Sequence, residues 1–367
     1  MKILFILPRY HTNLNNWIKK LSDEGNTVRV VVYHNVKRNS NCPVPTDFIG
    51  FAAWYLRLKR ILRIKCANSR CGVPDTRVLK KYLQNYRPDL IILRDPARVF
   101  SLFSIYFALR LHLKVLFYTQ APLYNVYSFW KKIAINTILN VLGICMMTPI
   151  KGEHGNKKVK RFFHIPFVAD VPKRLERRGA DGTFRILMIG KYIPRKNHVL
   201  LIDALSELTA SGDISLTIIG AQYTPAEKEY FAYIRRYIQT KKIDDRISLE
   251  DPVPYELLQT MYTEYDLFVL PSRDEEVGVT VLEAMSRGLP VICSDTAGAA
   301  DFIRNYSNGI VFHSDDKNSL RDALEYCAGD PVRCARMGRE SLRIVEQYYN
   351  PNVFYRRLKL LKEKIYD

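Results

Sequence analysis

Short apolar runs alternate with helical segments along most of the chain, and this pattern constrains the fold more than any other feature. The runs at 2–7, 28–33, 89–93 and 114–118 have the length and composition of buried parallel strands. A second series begins at 184–189. It continues at 216–219, 247–249, 267–270, 291–293 and 310–312. Strands that alternate with helices form parallel, doubly wound sheets. The predicted fold class is therefore α/β, with two Rossmann-like domains in tandem.

A segment rich in proline, glycine and charge at 165–183 is typical of a linker between domains. It divides the 367 residues into a predicted N-terminal domain at 1–170 and a C-terminal domain at 171–345. The last segment, 346–367, is predicted to be a helix that packs back toward the N-terminal domain. Ligands bind outside the carboxyl ends of the strands in such sheets, so we expect the site in a cleft between the domains.

The net charge of +19 is distributed unevenly. Residues 1–170 contain 28 Lys and Arg against 8 Asp and Glu, whereas residues 171–367 contain 28 against 29. The basic character therefore belongs to the N-terminal domain, which indicates that this domain faces an anionic partner. No recognisable nucleic-acid-binding module is present in the sequence, so we expect no nucleic-acid partner.

The segment 51–65 combines five cations with Trp54, Tyr55 and aliphatic side chains. This composition predicts an interfacial helix on an anionic membrane, and 124–132 could form a second contact. The alternative is a core-facing helix with a solvated basic face. The apolar stretch at 133–147 is shorter than the ~20 residues of a membrane span and predicts a core helix. The seven cysteines lack a zinc-site spacing and are expected to be free thiols.

Two further segments carry candidate chemistry. In the first, Gly190 ends a strand and is followed by Lys191, Arg195 and Lys196 just before a helix. Cations beside a helix N-terminus suit a diphosphate, although the same pattern occurs in a solvated basic turn.

The second segment, 271–285, places Glu275 and Glu283 eight positions apart around Gly278, at the start of a predicted helix. Carboxylates suit hydroxyl groups, and the exposed amides of a helix start suit phosphate. Together they favour a sugar nucleotide. The alternative is an ordinary loop glutamate and a helix-start glutamate stabilised by the helix dipole.

In this second segment, Pro271-Ser272, Glu275, Gly278 and Glu283-Ala284-Met285 resemble the E-x7-E signature of group 1, family 4-like retaining glycosyltransferases, which have the GT-B fold. The first segment is similar to that family's Gly-Arg-x-x-x-x-Lys motif, with Lys191 at the arginine position. The match is good from about 184 to 315 and weaker, but consistent in order, over 1–170.

The resemblance implies a role for each matching position. Lys191 and Lys196 would neutralise the departing diphosphate, and Glu275 would contact the transferred sugar. Glu283 would hold the ribose hydroxyls. The remaining donor contacts that it implies are Gly190, Arg195, Gly220, Val253, Val277, Gly278 and Val279. It implies no metal ion and no cofactor, since the nucleotide sugar is a substrate.

The acceptor side departs from the family pattern. The loop at 8–16 lacks the family's glycine pair, and Gln120 stands where many members have a histidine. The candidate acceptor-side residues are Arg9, His11, Asn13 and Gln120.

The predicted function is transfer of a hexosyl group, with retention, from a nucleotide sugar to a membrane-associated or lipid-linked glycan. Such a reaction belongs to polysaccharide, lipopolysaccharide or glycolipid biosynthesis. The expected location is cytoplasmic, peripheral on the inner face of the membrane. The alternatives are a nucleotide-sugar epimerase of the same fold and a non-catalytic protein that binds polyanions or membranes.

Overall fold

The computed structural model describes residues 1–33, 42–61, 71–123, 129–151, 159–176, 181–208 and 213–366. The chain divides into two compact units. The first is Met1–Val168 together with Pro351–Asp367, and the second is Ala169–Asn350. The boundary predicted at 345 lies inside a helix that continues to Tyr348, because Pro351 starts a new helix and does not interrupt a longer one.

Each unit contains one parallel sheet, as the α/β prediction requires. The strands are β1 Lys2–Leu7, β2 Thr27–Val32, β3 Thr46–Phe48, β4 Leu90–Arg94, β5 Lys114–Tyr118, β6 Cys145–Thr148, β7 Phe162–His164, β8 Phe184–Ile189, β9 Ile214–Ile219, β10 Ile247–Glu250, β11 Leu267–Leu270, β12 Val291–Ser294 and β13 Gly309–Phe312. The first sheet has the order β3-β2-β1-β4-β5-β6-β7, and the second has the order β10-β9-β8-β11-β12-β13. In each sheet the chain adds strands on one side of its first strand, β1 or β8, and then continues on the other side, as in doubly wound folds.

Most of the helices lie between strands along the chain, and the last three follow β13. They are α1 Asn15–Asp23, α2 Ala53–Ile61, α3 Thr76–Tyr86, α4 Val99–Arg110, α5 Phe129–Val141, α6 His198–Ser206, α7 Pro225–Lys241, α8 Tyr255–Met261, α9 Val279–Ser286, α10 Lys317–Ala328, α11 Pro331–Tyr348 and α12 Pro351–Tyr366. In the described part of the chain, none of them combines the length and apolar character needed to cross a membrane.

The first sheet is covered by helices on both faces. Side chains alternate along a strand, so Leu4 and Ile6 of β1 pack with α3, α4 and α5 in one core. On the other face, Trp17 of α1 contacts Tyr118 of β5 and stacks on Phe354 of α12 at 4.9 Å between ring centroids. The last helix therefore belongs to the core of the first unit.

The prediction of one core helix at 133–147 is wrong. The helix α5 ends at Val141, and Cys145–Thr148 is a buried strand. Gly143, with φ of 63°, turns the chain between the two elements. A continuous apolar run does not distinguish a helix followed by a strand from one helix, because both can be buried. The helix is also only partly covered, since Ile133, Ile138 and Val141 are exposed.

The segment 51–65, predicted to be an interfacial helix, contains α2 in the structure. None of the residues of α2 is buried, so the alternative of a core-facing helix fails for its described part. Residues 62–65 of that segment lie outside the described residues, as do 124–128 of the second predicted contact and 177–180 of the linker. Cys66 also lies outside them, and the six described cysteines are free thiols.

Substitution of Trp17 tests the packing of α12 on the first unit. Trp17→Ala removes a fully buried indole and should lower the free energy of unfolding by about 3–5 kcal/mol. Trp130→Ala is the matched control, because this indole is 76% exposed and its loss should cost less than about 0.5 kcal/mol. Urea denaturation followed by circular dichroism measures both. An equal loss of unfolding free energy in the two variants would contradict the packing of Trp17 against α12.

Candidate functional site

The predicted donor-side residues lie around the carboxyl edge of the second sheet. Gly190 follows β8, Gly220 follows β9, Val253 follows β10 and Glu275 follows β11. Four chain segments thus bring their polar groups to one edge, where ligands of doubly wound sheets bind.

Two glycines allow close packing of the backbone at this edge. A Cβ atom on Gly220 would lie 2.2 Å from the carbonyl oxygen of Gly190, so a larger residue would push β8 and β9 apart. Gly278 has φ of 73° and lies immediately before α9. A Cβ there would meet Leu270 and Ala299 at less than 3 Å. The first amides of α9 are therefore held close to the end of β11.

A carboxylate shared by two cations forms the centre of the site. The Nζ atom of Lys196 lies 2.7 Å from Oε2 of Glu275, and Nη1 of Arg195 lies 2.8 Å from the same oxygen. The side chains of Lys196 and Glu275 are only 13% and 17% exposed. Partial burial alone would raise the pKa of Glu275, but the charges of Lys196 and Arg195 hold it below its usual range. The carboxyl group of Glu275 is therefore ionised at neutral pH and holds both cations at this edge of the sheet, where they can bind an anion.

Lys191 has a different partner. Its Nζ lies 3.4 Å from Oε1 of Glu227 at the start of α7. Burial opposes ionisation of Glu227, but the backbone amides of Thr224 and Tyr223 and the charge of Lys191 lower its pKa. Sequence reasoning missed Glu227. The sequence pattern that could have identified this residue is the capping box that Thr224 and Glu227 form at the start of α7.

Glu283 lies on α9 and accepts a hydrogen bond from the hydroxyl of Tyr262 at 3.1 Å. Burial raises the pKa of Glu283 to about 7, and Tyr262 and the charge of Arg287 oppose this shift only in part. Arg287 itself donates to the carbonyl oxygens of Asp170 and Gln259. Tyr262 was not among the predicted residues, because a tyrosine in a helical segment carries no distinguishing sequence signal.

The acceptor-side candidates lie around the carboxyl edge of the first sheet. Arg9 and His11 follow β1, and Arg9 Nε donates to His11 Nε2 at 3.0 Å. Asn13 is in a 3-10 helix of one turn, Thr12–Leu14. Gln120 follows β5 and accepts from Arg94 Nη2 at 2.8 Å. Arg94, at the end of β4, was not predicted, although a cation directly after a buried strand is a recognisable signal.

The structure thus brings Lys196, Arg195 and Glu275 into direct contact, whereas Lys191 and Glu283 have partners of their own. In the part of the chain that the structure describes, no group of three or more His, Cys, Asp or Glu side chains could hold a metal ion. The roles of the individual residues toward a ligand remain predictions.

Comparison with known proteins agrees with the resemblance drawn from the motifs. Residues 173–343 match the family described as glycosyl transferases group 1. The alpha-D-kanosaminyltransferase of Streptomyces kanamyceticus is 28% identical over 48% of this chain and 44% of its own length. A GDP-mannose-dependent alpha-(1-6)-phosphatidylinositol monomannoside mannosyltransferase of Mycolicibacterium smegmatis is 26% identical over 44% and 43%. This chain thus matches less than half the length of these curated relatives.

The similarity in fold extends along the whole chain. The crystal structure of a glycosyltransferase from Rickettsia africae matches with a TM-score of 0.76 and 17% identity. The match covers 99% of this chain and 98% of the other. With the two parallel sheets, this similarity confirms the predicted GT-B fold.

The raised pKa of Glu283 predicts pH-dependent binding of a nucleoside diphosphate. As the pH rises from 6 to 8, this carboxyl group ionises and becomes a stronger hydrogen-bond acceptor for a ribose hydroxyl. Affinity should rise by about fivefold, the equivalent of roughly 1 kcal/mol. Calorimetric titration with UDP and GDP measures it. Glu283→Gln is the control, because this variant lacks the carboxyl group while the nucleotide still carries its titrating phosphate. An equal pH dependence in both proteins would contradict the assignment.

Proposed function

Because residues 173–343 belong to the glycosyl transferases group 1 family, we propose that this chain is a glycosyltransferase that moves a sugar from a nucleotide-sugar donor to a glycan or lipid-linked acceptor. The observation that carries the proposal is the contact of Lys196 and Arg195 with Glu275 at the carboxyl edge of the second sheet. This arrangement orients two cations at the edge where the donor diphosphate would bind.

The leaving group explains why cations are needed. When the bond between the sugar and the nucleoside diphosphate breaks, negative charge develops on the diphosphate, and preorganised cations stabilise it. Lys196 is largely shielded from water, which strengthens this interaction. Lys191 is more exposed and contributes a further positive charge. In this proposal the transfer retains the anomeric configuration and needs no metal ion, as the family resemblance implies.

Two glutamates orient the donor in this proposal. Glu283, held by Tyr262, accepts hydrogen bonds from the ribose. Glu275 accepts from a hydroxyl of the transferred sugar, and its two cations face the diphosphate. The amides of Val277, Gly278 and Val279 complete the donor contacts beside the start of α9.

The acceptor binds to the N-terminal unit, whose excess of cations favours an anionic or membrane-bound substrate. The exposed cationic helix α2, with Trp54 and Tyr55 near its start, supports attachment to an anionic membrane surface. One relative is named for a phosphatidylinositol monomannoside acceptor, which is a lipid-linked glycan. We therefore place the protein at the cytoplasmic face of a membrane, in polysaccharide, lipopolysaccharide or glycolipid biosynthesis.

A screen of nucleotide sugars tests the activity. The proposal expects slow hydrolysis of one donor without acceptor, and transfer when a membrane lipid extract is added. Mass spectrometry detects both products. Conversion of the donor into a free epimer would support the epimerase alternative, which neither the family match nor the named relatives favour. Tight heparin binding without any turnover would support the polyanion-binding alternative.

Two alanine variants should separate transfer from donor binding. Lys196→Ala removes a cation that stabilises the leaving group, so kcat should fall by about 10²–10³-fold. Glu283→Ala removes a ribose contact and should mainly raise the KM for the donor. Steady-state kinetics at saturating acceptor measure both constants.

A third lysine serves as the control for these kinetics. Lys241 at the end of α7 pairs with Asp203, away from the carboxyl edge of the sheet, so Lys241→Ala should leave kcat and KM unchanged. If Lys196→Ala behaves like Lys241→Ala, the assignment of Lys196 is wrong.

A further inference from the structure

Four successive helices of the first unit lack acidic residues. No Asp or Glu occurs in the sequence of α2, α3, α4 or α5. In contrast, α1 contains Asp23 and α12 contains Glu363. The absence of acidic residues thus extends over several successive helices of the chain.

Three of these helices form one layer. Buried residues of α3, α4 and α5 share a single core with β1, β4, β5 and β6. Since β4, β5 and β6 are adjacent in the sheet, α4 and α5, which connect them, lie side by side, and α3 packs against α4. Their outward surfaces therefore form a continuous surface on this side of the unit.

This surface exposes large apolar side chains. On α4, Leu102, Tyr106 and Leu109 are 55%, 52% and 39% exposed, and their spacing of four and three residues aligns them along one stripe. Neighbouring helices contribute further exposed apolar residues. We call the outer face this stripe together with Val78 of α3 and the exposed Trp130, Ile133, Ile138 and Val141 of α5. Among the described residues of α1 and α12, by comparison, the only exposed large apolar side chain is Leu360.

Cations border the apolar stripe. Arg77, Lys80 and Lys81 are exposed on α3. A hydrogen bond from Arg110 and the charge of Lys80 both lower the pKa of Tyr106, so cations of two helices lie near the same tyrosine. An apolar stripe flanked by cations, without carboxylates on the same helices, is complementary to an anionic lipid surface.

We propose that the outer face is the surface on which this unit docks to an anionic bilayer. The domain then lies on α3, α4 and α5, with the stripe of α4 in the headgroup region and the cations of α3 among the lipid phosphates. This inference rests on the proposed action at a membrane and adds which side of the unit faces it. A second copy of the chain is a poorer occupant, because two faces with cations and no carboxylates on their helices repel each other.

Vesicle binding of matched variants tests the orientation. Sedimentation with vesicles of phosphatidylglycerol and phosphatidylcholine gives the partition coefficient of each protein at low salt. The partition coefficient should fall by about tenfold in the double variant Leu102→Asn/Leu109→Asn, which loses apolar burial. It should fall by a similar factor in Lys80→Gln/Lys81→Gln, which loses charge. Leu360→Asn makes the same exposed change on α12 and should bind like wild type. Circular dichroism and thermal unfolding confirm that every variant is folded.

The outcomes separate this inference from the proposed function. If wild type binds the vesicles but the outer-face variants bind equally well, or Leu360→Asn binds worst, the outer face is not the docking surface and action at a membrane stands. If wild type remains in solution, membrane association itself fails, and donor turnover still tests the transferase. A dimer detected by sedimentation velocity, and dissociated by Leu102→Asn/Leu109→Asn, would overturn the inference in favour of self-association.

Discussion

Parallel strand pairing is the constraint on which the rest of this structure depends. In a parallel sheet all strands end at the same edge, so residues far apart in sequence come together after folding. In the second unit this edge collects Gly190, Gly220 and Glu275 from three strands. The close approach of Gly220 to the Gly190 carbonyl oxygen shows how tightly the strand ends pack. The cations after β8 reach the carboxylate after β11 for the same reason.

The chemistry of the site follows from how its charges are compensated. A largely buried ammonium group is costly unless it has a partner, and Glu275 supplies one for Lys196. Glu227 pairs with the more exposed Lys191 and also caps α7. Glu283 differs, because a tyrosine hydroxyl is its hydrogen-bond partner and burial raises its pKa. The pKa values of the two glutamates of one motif therefore shift in opposite directions, down for Glu275 and up for Glu283.

Sequence reasoning succeeded where the local pattern determines the structure. The strands β1 and β5 have the predicted bounds, because short apolar runs between polar turns have few other ways to be buried. It failed at 133–147, where a helix and a strand follow each other within one apolar run. Glu227 and Arg94 carry local signals, a capping box and a cation at the end of a strand, but their places in the site come from partners distant in sequence, Lys191 and Gln120.

The sequence by itself determined the α/β class, the two sheets, the basic character of the N-terminal half and the motif that contains Glu275 and Glu283. These properties depend on composition, periodicity and spacing, which are local. Only the tertiary structure decided which charges neutralise each other, that burial raises the pKa of Glu283, and that α3, α4 and α5 present one apolar and basic surface. Such properties depend on burial and on contacts between distant segments, and a linear pattern does not specify either.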